Sequence, residues 1–328
     1  MFIDSFLLAG ISFSLSLFFV ILFKILALKH KLLLRQKIPQ VGGIAICLSF
    51  MASVLTVFLS RGFFSRPAQG IILASLAMLI FGIIDDWRES SIKAKVIFQV
   101  IATAILYYFG VKTQIIYIGV FLNAIITFLW VIGITNAFNH LDVMDGLAAS
   151  NAIIAACAFG GIAFLSADFS SSILVLSLLG ATCGFIIFNL PPARVYLGNS
   201  GSHLLGFILA AISIVISYAP MNRKVALLAP LLILGFPIFD TFFLILVRLS
   251  RKRIPFKKSN DHMVLRFLSM GVPKRTILFF VLIVAGIFSL GGVFLTRLSN
   301  YIGMVIVSGA VFVSFVVAKA SLKISIND

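Results

Sequence analysis

Charge is what this chain has least of. Only 11% of its 328 residues are charged, and only 10 are Asp or Glu. Hydrophobic residues make up 61%, more apolar surface than a soluble globular domain needs. Cysteine is also scarce. Cys47, Cys157 and Cys183 all lie within apolar runs and show no CxxC spacing, which argues for buried packing and against a disulfide or zinc framework. No low-complexity tract, soluble domain or clear internal repeat interrupts the chain. The first apolar run, about Phe6 to Leu28, is too long for a signal h-region and lacks a small-residue cleavage site, so it reads as a retained helix.

What the chain does contain is a succession of hydrophobic runs. They fall roughly at 4–28, 42–60, 70–84, 94–110, 115–135, 147–166, 172–188, 203–219, 225–246, 276–296 and 301–320. The expected fold is all-α: a polytopic membrane protein of about eleven transmembrane helices, one domain over 1–328, with a cytoplasmic basic loop at 247–275. The formal charge of +16 suits cytoplasmic loops better than nucleic acid. An N-terminus outside leaves only Arg61, Arg66, Lys112, Arg223, Lys224 and Arg297 on the outer side, and puts the C-terminus in the cytoplasm. All acidic residues except Asp4 and Asp168 then fall on the cytoplasmic side as well. A transporter would keep key ionisable groups near the midplane. Their gathering at one face suits an enzyme that joins a water-soluble substrate to a lipid.

Five cytoplasmic segments carry the polar chemistry. In Asn136-Ala-Phe-Asn139-His140-Leu-Asp142-Val-Met-Asp145-Gly146, a polar group recurs every third residue. On a helix, neighbouring members of such a set share a face. A cluster of this kind holds a cation or a phosphate; the plainer alternative is a helix end with Asp145 as N-cap. His140 lacks the partners a zinc site needs and reads as a lining residue at most. The adjacent Asp85 and Asp86 repel each other unless a cation or a basic partner such as Arg88 neutralises them. Lys37, Pro39, Gly42 and Gly43 form a basic loop whose glycines allow close approach. Gly198-Asn199-Ser200-Gly201-Ser202 offers either an anion nest or a capped turn, and His203 after it reads as solvent-facing. Asp240, near the inner end of a span, needs a partner. Beyond it, Arg251 to Lys258 form a basic run, and Asp261-His262-Met263-Val264-Leu265-Arg266-Phe267-Leu268 reads as an amphipathic stretch along the interface.

In this order the five segments resemble the polyprenyl-phosphate N-acetylhexosamine-1-phosphate transferases, over about Lys37 to Arg275. The span count is closer to the GlcNAc branch than to the related phospho-MurNAc-pentapeptide translocases. The family's Pro-x-x-Gly-Gly is matched by Pro39, Gly42 and Gly43, with Lys37 as the basic residue. Its aspartate pair is matched by Asp85 and Asp86 with Lys95 downstream. Its Asn-x-x-Asn-x-x-Asp-Gly-x-Asp-Gly is matched by Asn136, Asn139, Asp142, Asp145 and Gly146, with Val143 in place of a glycine. Asn189 precedes the Pro-Ala turn, and Pro237, Asp240 and Thr241 match Pro-x-x-Asp-Thr. Two departures stand out. The aspartate of Gly-Asp-x-Gly-Ser is Asn199 here, and of His-x-His-His only His262 is kept.

The resemblance implies transfer of a sugar-1-phosphate, GlcNAc-1-phosphate foremost, from a UDP-N-acetylhexosamine to undecaprenyl phosphate. This would take place at the cytoplasmic face of a bacterial inner membrane, in a chain that can form a homodimer. It implies Mg²⁺, with Mn²⁺ as a substitute, held by Asp86, Asp145 and Asn199. Asp85, Asp86, Asp142, Asp145 and His262 would be catalytic. Lys37, Lys95, Asn136, Asn139, Asn189, Ser200, Asp240 and Arg266 would bind substrate, with Lys257 or Lys258 as further phosphate cations. A single displacement is expected, with Asp85 serving as base or positioning group. Asn199 and the missing histidines motivate a rival: a member that has lost catalysis and binds the lipid carrier or a partner. A transporter fits less well, and the signature of CDP-alcohol phosphotransferases is not found.

Overall fold

The computed structural model describes residues 2–61, 65–218, 223–252 and 262–322. Lys257, Lys258 and Asp261 lie outside the described residues. The protein is an all-α polytopic membrane protein, and each hydrophobic run of the sequence coincides with helix. The helices are α1 (Phe2–His30), α2 (Gly42–Arg61), α3 (Arg66–Trp87), α4 (Ile92–Tyr108), α5 (Gly119–Leu141), α6 (Leu147–Leu165) and α7 (Phe169–Asn189). They continue with α8 (Gly198–Val215), α9 (Ala229–Ile233), α10 (Gly235–Ser250), α11 (Met263–Ser269), α12 (Lys274–Leu295) and α13 (Asn300–Leu322). Among the described residues, 8 helices are long and apolar enough to cross a membrane. The helical segment Lys224–Ile233, which ends in α9, and α10 are bent by 71° and, counted as one span, make up to 9.

Helix α8 is the axis of the fold. Leu204 to Ile212 are all buried on it, against α2, α3, α5 and α6. Glycines let the backbones meet there. A Cβ on Gly43 would strike the backbone of Gly201, and one on Gly82 would strike Ser200. These contacts seat the start of α2 and the end of α3 on the first turn of α8.

Between α1 and α2 the chain forms a small hairpin, β1 (Leu34–Arg35) and β2 (Ile38–Pro39), pairing Leu34 with Pro39 and Arg35 with Ile38. Its two turn residues, Gln36 and Lys37, have φ of 51° and 67°. Both central residues of a type I′ turn have positive φ. The hairpin docks on the loop before α8: Tyr196 N–H donates to Pro39 O at 2.8 Å, and Gly43 N–H to Leu197 O at 3.0 Å.

Three expectations are corrected. Segment 262–269 does not lie along the interface as an exposed amphipathic stretch. Met263, Val264 and Arg266 of α11 are buried; Met263 and Val264 join a second core with apolar residues of α10 and α12, among them Phe243, Val247, Ile277 and Val281. His203 does not face solvent: it is fully buried inside α8, with Nδ1 2.9 Å from Asn199 O. Cys47 is buried, whereas Cys157 is exposed on α6, where the surrounding lipid is itself apolar.

Candidate functional site

The site forms where α3, α5 and the loop before α8 converge. Asp85 and Asp86 are adjacent in sequence but diverge in partners, since successive helical residues point about 100° apart. Asp85 is buried. Its Oδ2 accepts from Lys95 Nζ at 2.7 Å and its Oδ1 from Ser90 N–H at 2.8 Å. Asp86 instead caps α8 from another helix, accepting the N–H of Asn199 at 2.6 Å and of Ser200 at 3.0 Å. Free N–H groups of a first turn favour an anion there. Gly198 makes the approach feasible. Its φ is +76°, and a Cβ would sit 2.6 Å from Asp86 Oδ2.

Only the first half of the polar repeat is helical. Asn136 and Asn139 lie on α5, which ends at Leu141. Asp142 to Gly146 form the turn into α6. Gly146, with φ +77°, is the N-cap of α6, so Asp145 is not. Asn139 Nδ2 donates to Ser202 Oγ at 3.0 Å and to Asn199 Oδ1 at 3.3 Å, joining α5 to α8. Asp142 is half-buried, and its carboxyl is pushed up to about 7, first by burial and then by the charges of Asp86 and Asp145, with Arg35 partly offsetting them. Asp145 accepts from Lys274 Nζ at 3.4 Å.

Other candidate residues hold the framework. Asn136 exchanges amide hydrogen bonds with Gln99 of α4, at 2.9 and 3.2 Å. Buried Asn189 accepts from Gly146 N–H and donates to Val195 O, both at 3.0 Å, tying the α5–α6 turn to the Pro191-Pro192 loop. Arg266 is fully buried, its guanidinium 5.4 Å from the Phe243 ring and donating to Ser321 O at 3.3 Å. Lys37 is exposed at the hairpin tip.

A second polar centre lies beside the first. His262 Nδ1 is 2.9 Å from Asp240 Oδ2, and Met263 N–H donates to Asp240 Oδ1 at 3.3 Å. His140, on the last turn of α5 before Asp142, sits edge-on to His262 with ring centroids 6.4 Å apart. Next to this pair is a cavity of about 400 Å³ lined by Phe236, Phe239, Met263, Phe267, Phe280 and Val313, among others. Its walls come from α10, α11, α12 and α13.

Nothing in the sequence marks Arg35, Gln99 or Lys274 as site residues, and His140 stands there without zinc-site partners. Arg35 sits two residues before Lys37, in a hairpin with no Asn-Gly signal. Gln99 and Lys274 acquire meaning only through contacts 37 and 129 residues away.

Among the described residues, no three His, Cys, Asp or Glu side chains form a self-sufficient metal cage. Mg²⁺ does not need one, since it typically takes one or two carboxylates together with water and substrate phosphates. Asp142, opposed by two further carboxylates, marks an excess of negative charge that a divalent cation would relieve. Asp86 keeps a lone pair on each oxygen beyond its bonds to α8. The donor set fits such an ion.

Known proteins are similar to this chain over the same helices. The family model described as glycosyl transferase family 4 matches residues 68–217, from the start of α3 to just past α8. The chain is 27% identical over 278 residues to a probable undecaprenyl-phosphate N-acetylglucosaminyl 1-phosphate transferase of Bacillus subtilis, covering 82% of this chain and 76% of that one. It is 28% identical to an undecaprenyl-phosphate alpha-N-acetylglucosaminyl 1-phosphate transferase of Thermotoga maritima, covering 69% and 67%. It is 33% identical over 196 residues to a phospho-N-acetylmuramoyl-pentapeptide-transferase of Halalkalibacterium halodurans, covering 54% and 60%. The matched region contains the helices that bring Asp85, Asp86, Asn139, Asp142 and Asn199 together, and over that region the chain is similar to glycosyl transferase family 4.

Proposed function

We propose that this protein transfers an N-acetylhexosamine-1-phosphate, foremost GlcNAc-1-phosphate, from a UDP-sugar to undecaprenyl phosphate, releasing UMP. The observation that carries the proposal is the polar centre at the start of α8, where the charges of Asp86 and Asp145 act on Asp142, together with a partly open apolar cavity next to the neighbouring Asp240–His262 pair. A lipid phosphate needs both environments at once: an ion-rich pocket for its head and an apolar one for its tail.

In the proposed reaction an oxygen of the acceptor phosphate attacks the β-phosphorus of the donor. A new P–O bond forms, the bond to UMP breaks, and UMP leaves with the electron pair. A phosphate monoester has a second pKa of about 6, so the acceptor is mostly ionised and needs alignment more than deprotonation. Mg²⁺, when bound near Asp86, Asp142 and Asp145, would offset the charge of the donor diphosphate. Asn139, hydrogen-bonded to both Asn199 and Ser202, stiffens that wall of the site. Arg35 supplies positive charge from the hairpin. Two features favour a single displacement: Asp85 is buried and paired with Lys95, and both oxygens of Asp86 are already engaged by α8 amides. Neither is presented as a nucleophile.

Eleven spans, an outside N-terminus and a site on the cytoplasmic face of a bacterial inner membrane belong to the same proposal, supported by the charge distribution. The test is UMP release by the purified protein from UDP-GlcNAc with undecaprenyl phosphate and Mg²⁺. Release that needs all three is expected. No release, where Asn199→Asp restores it, would instead identify a member that has lost catalysis.

A further inference from the structure

Asp240 and His262 are separated by 22 residues yet form one buried unit, 1% and 5% exposed. Both carboxylate oxygens of Asp240 are engaged, one by His262 Nδ1 and the other by Met263 N–H. Each oxygen keeps a further lone pair, but with Asp240 only 1% exposed the carboxylate is shut off from a substrate by burial. An ionised carboxylate only accepts hydrogen bonds, so Nδ1 must carry the proton of this contact. Nε2 is then the one ring nitrogen left for a ligand. The His140 ring, 6.4 Å away and tilted by 69°, packs against the imidazole from α5 and restrains its rotation. Through His140 the pair is also tied to the helix end that carries Asp142.

We propose that Asp240 is a positioning residue that acts through His262, holding the imidazole in the Nδ1–H form so that Nε2 faces the phosphate-bearing substrate. This rests on the transferase reading above, and it differs from a direct role for Asp240 in substrate binding. Partners that orient a functional histidine are commonly worth about 10- to 100-fold when removed.

The full-length protein would be compared with Asp240→Asn, His262→Ala and the double variant by UMP release. Asp240→Asn is expected to lower kcat by about 10- to 100-fold on its own and to change nothing further in the His262→Ala background. An equal loss in both backgrounds would overturn the proposal. A second measurement needs no activity. The chain has 4 histidines, so ¹⁵N-histidine labelling resolves His262 by the signals lost in His262→Ala. The native spectrum should show His262 protonated at Nδ1, and Asp240→Asn should shift that pattern. A native Nε2–H form would overturn the proposal even if Asp240→Asn failed to fold. Absence of UMP release by the native protein would count against the transferase reading alone, because the spectrum still tests the pair.

Discussion

Asp86 accepts the N–H groups of Asn199 and Ser200, at 2.6 and 3.0 Å, across 113 residues of sequence. This contact couples the aspartate pair on α3 to the position where the family's aspartate is an asparagine. One carboxylate thus both builds the site and helps charge it. The contact exists only because α2, α3 and α8 approach through glycine.

Gly43→Ala tests that approach. Its methyl group would run into the backbone of Gly201, which cannot move aside as a flexible side chain would. Overpacking of this kind costs about 1–3 kcal/mol. A lowered thermal midpoint and reduced UMP release are expected. An unchanged midpoint would show that α2 and α8 can separate freely.

Lys95→Met leaves the Asp85 carboxylate buried without its cation. Breaking a buried pair costs about 3–5 kcal/mol, and Lys95 keeps some exposure at 18%, so the lower part of that range applies. Replacing both members, with Asp85→Asn and Lys95→Met, should recover much of the thermal midpoint without recovering activity. If the double variant melts as low as Lys95→Met, the pair is not the source of the loss.

Asp142 gives a pH signature. Its carboxyl lies at about 7 when folded, against 3.8 for the ordinary group. Between those values the folded protein binds the extra proton, so this group's contribution to stability falls as pH rises from about 4 to 7 and then levels off. Asp142→Asn should flatten the midpoint-against-pH curve over that window. Added Mg²⁺ should flatten it in the native protein, because a cation replaces the proton as counter-charge. Identical curves for native and variant proteins would refute the assignment.

Asn199 and Asp145 should move the Mg²⁺ requirement in opposite directions. Asn199→Asp adds a charged ligand and should lower the Mg²⁺ concentration for half-maximal rate severalfold. Asp145→Asn removes one and should raise it steeply. Titration of UMP release against Mg²⁺ reads both, and an unmoved curve for Asp145→Asn would remove that residue from the metal set.

Sequence alone determined that this chain is helical and membrane-embedded, because apolar runs of about 20 residues have few other stable states in lipid. It also determined which segments carry chemistry, since a charge beside such a run is costly unless it is used. Asp85, Asp86, Asp142 and Asp145 could be picked out on that ground, Asn139 by the polar repeat it shares with Asp142 and Asp145, and Asn199 only through the family resemblance. Only the tertiary structure decided how they divide the work. Asp85 is given to Lys95, Asp86 to the amides of α8, Asn136 to Gln99, and Asp240 to His262. Those pairings depend on how helices distant in sequence cross and on which carboxylate of an adjacent pair points to which neighbour. Spacing along one chain does not encode that geometry.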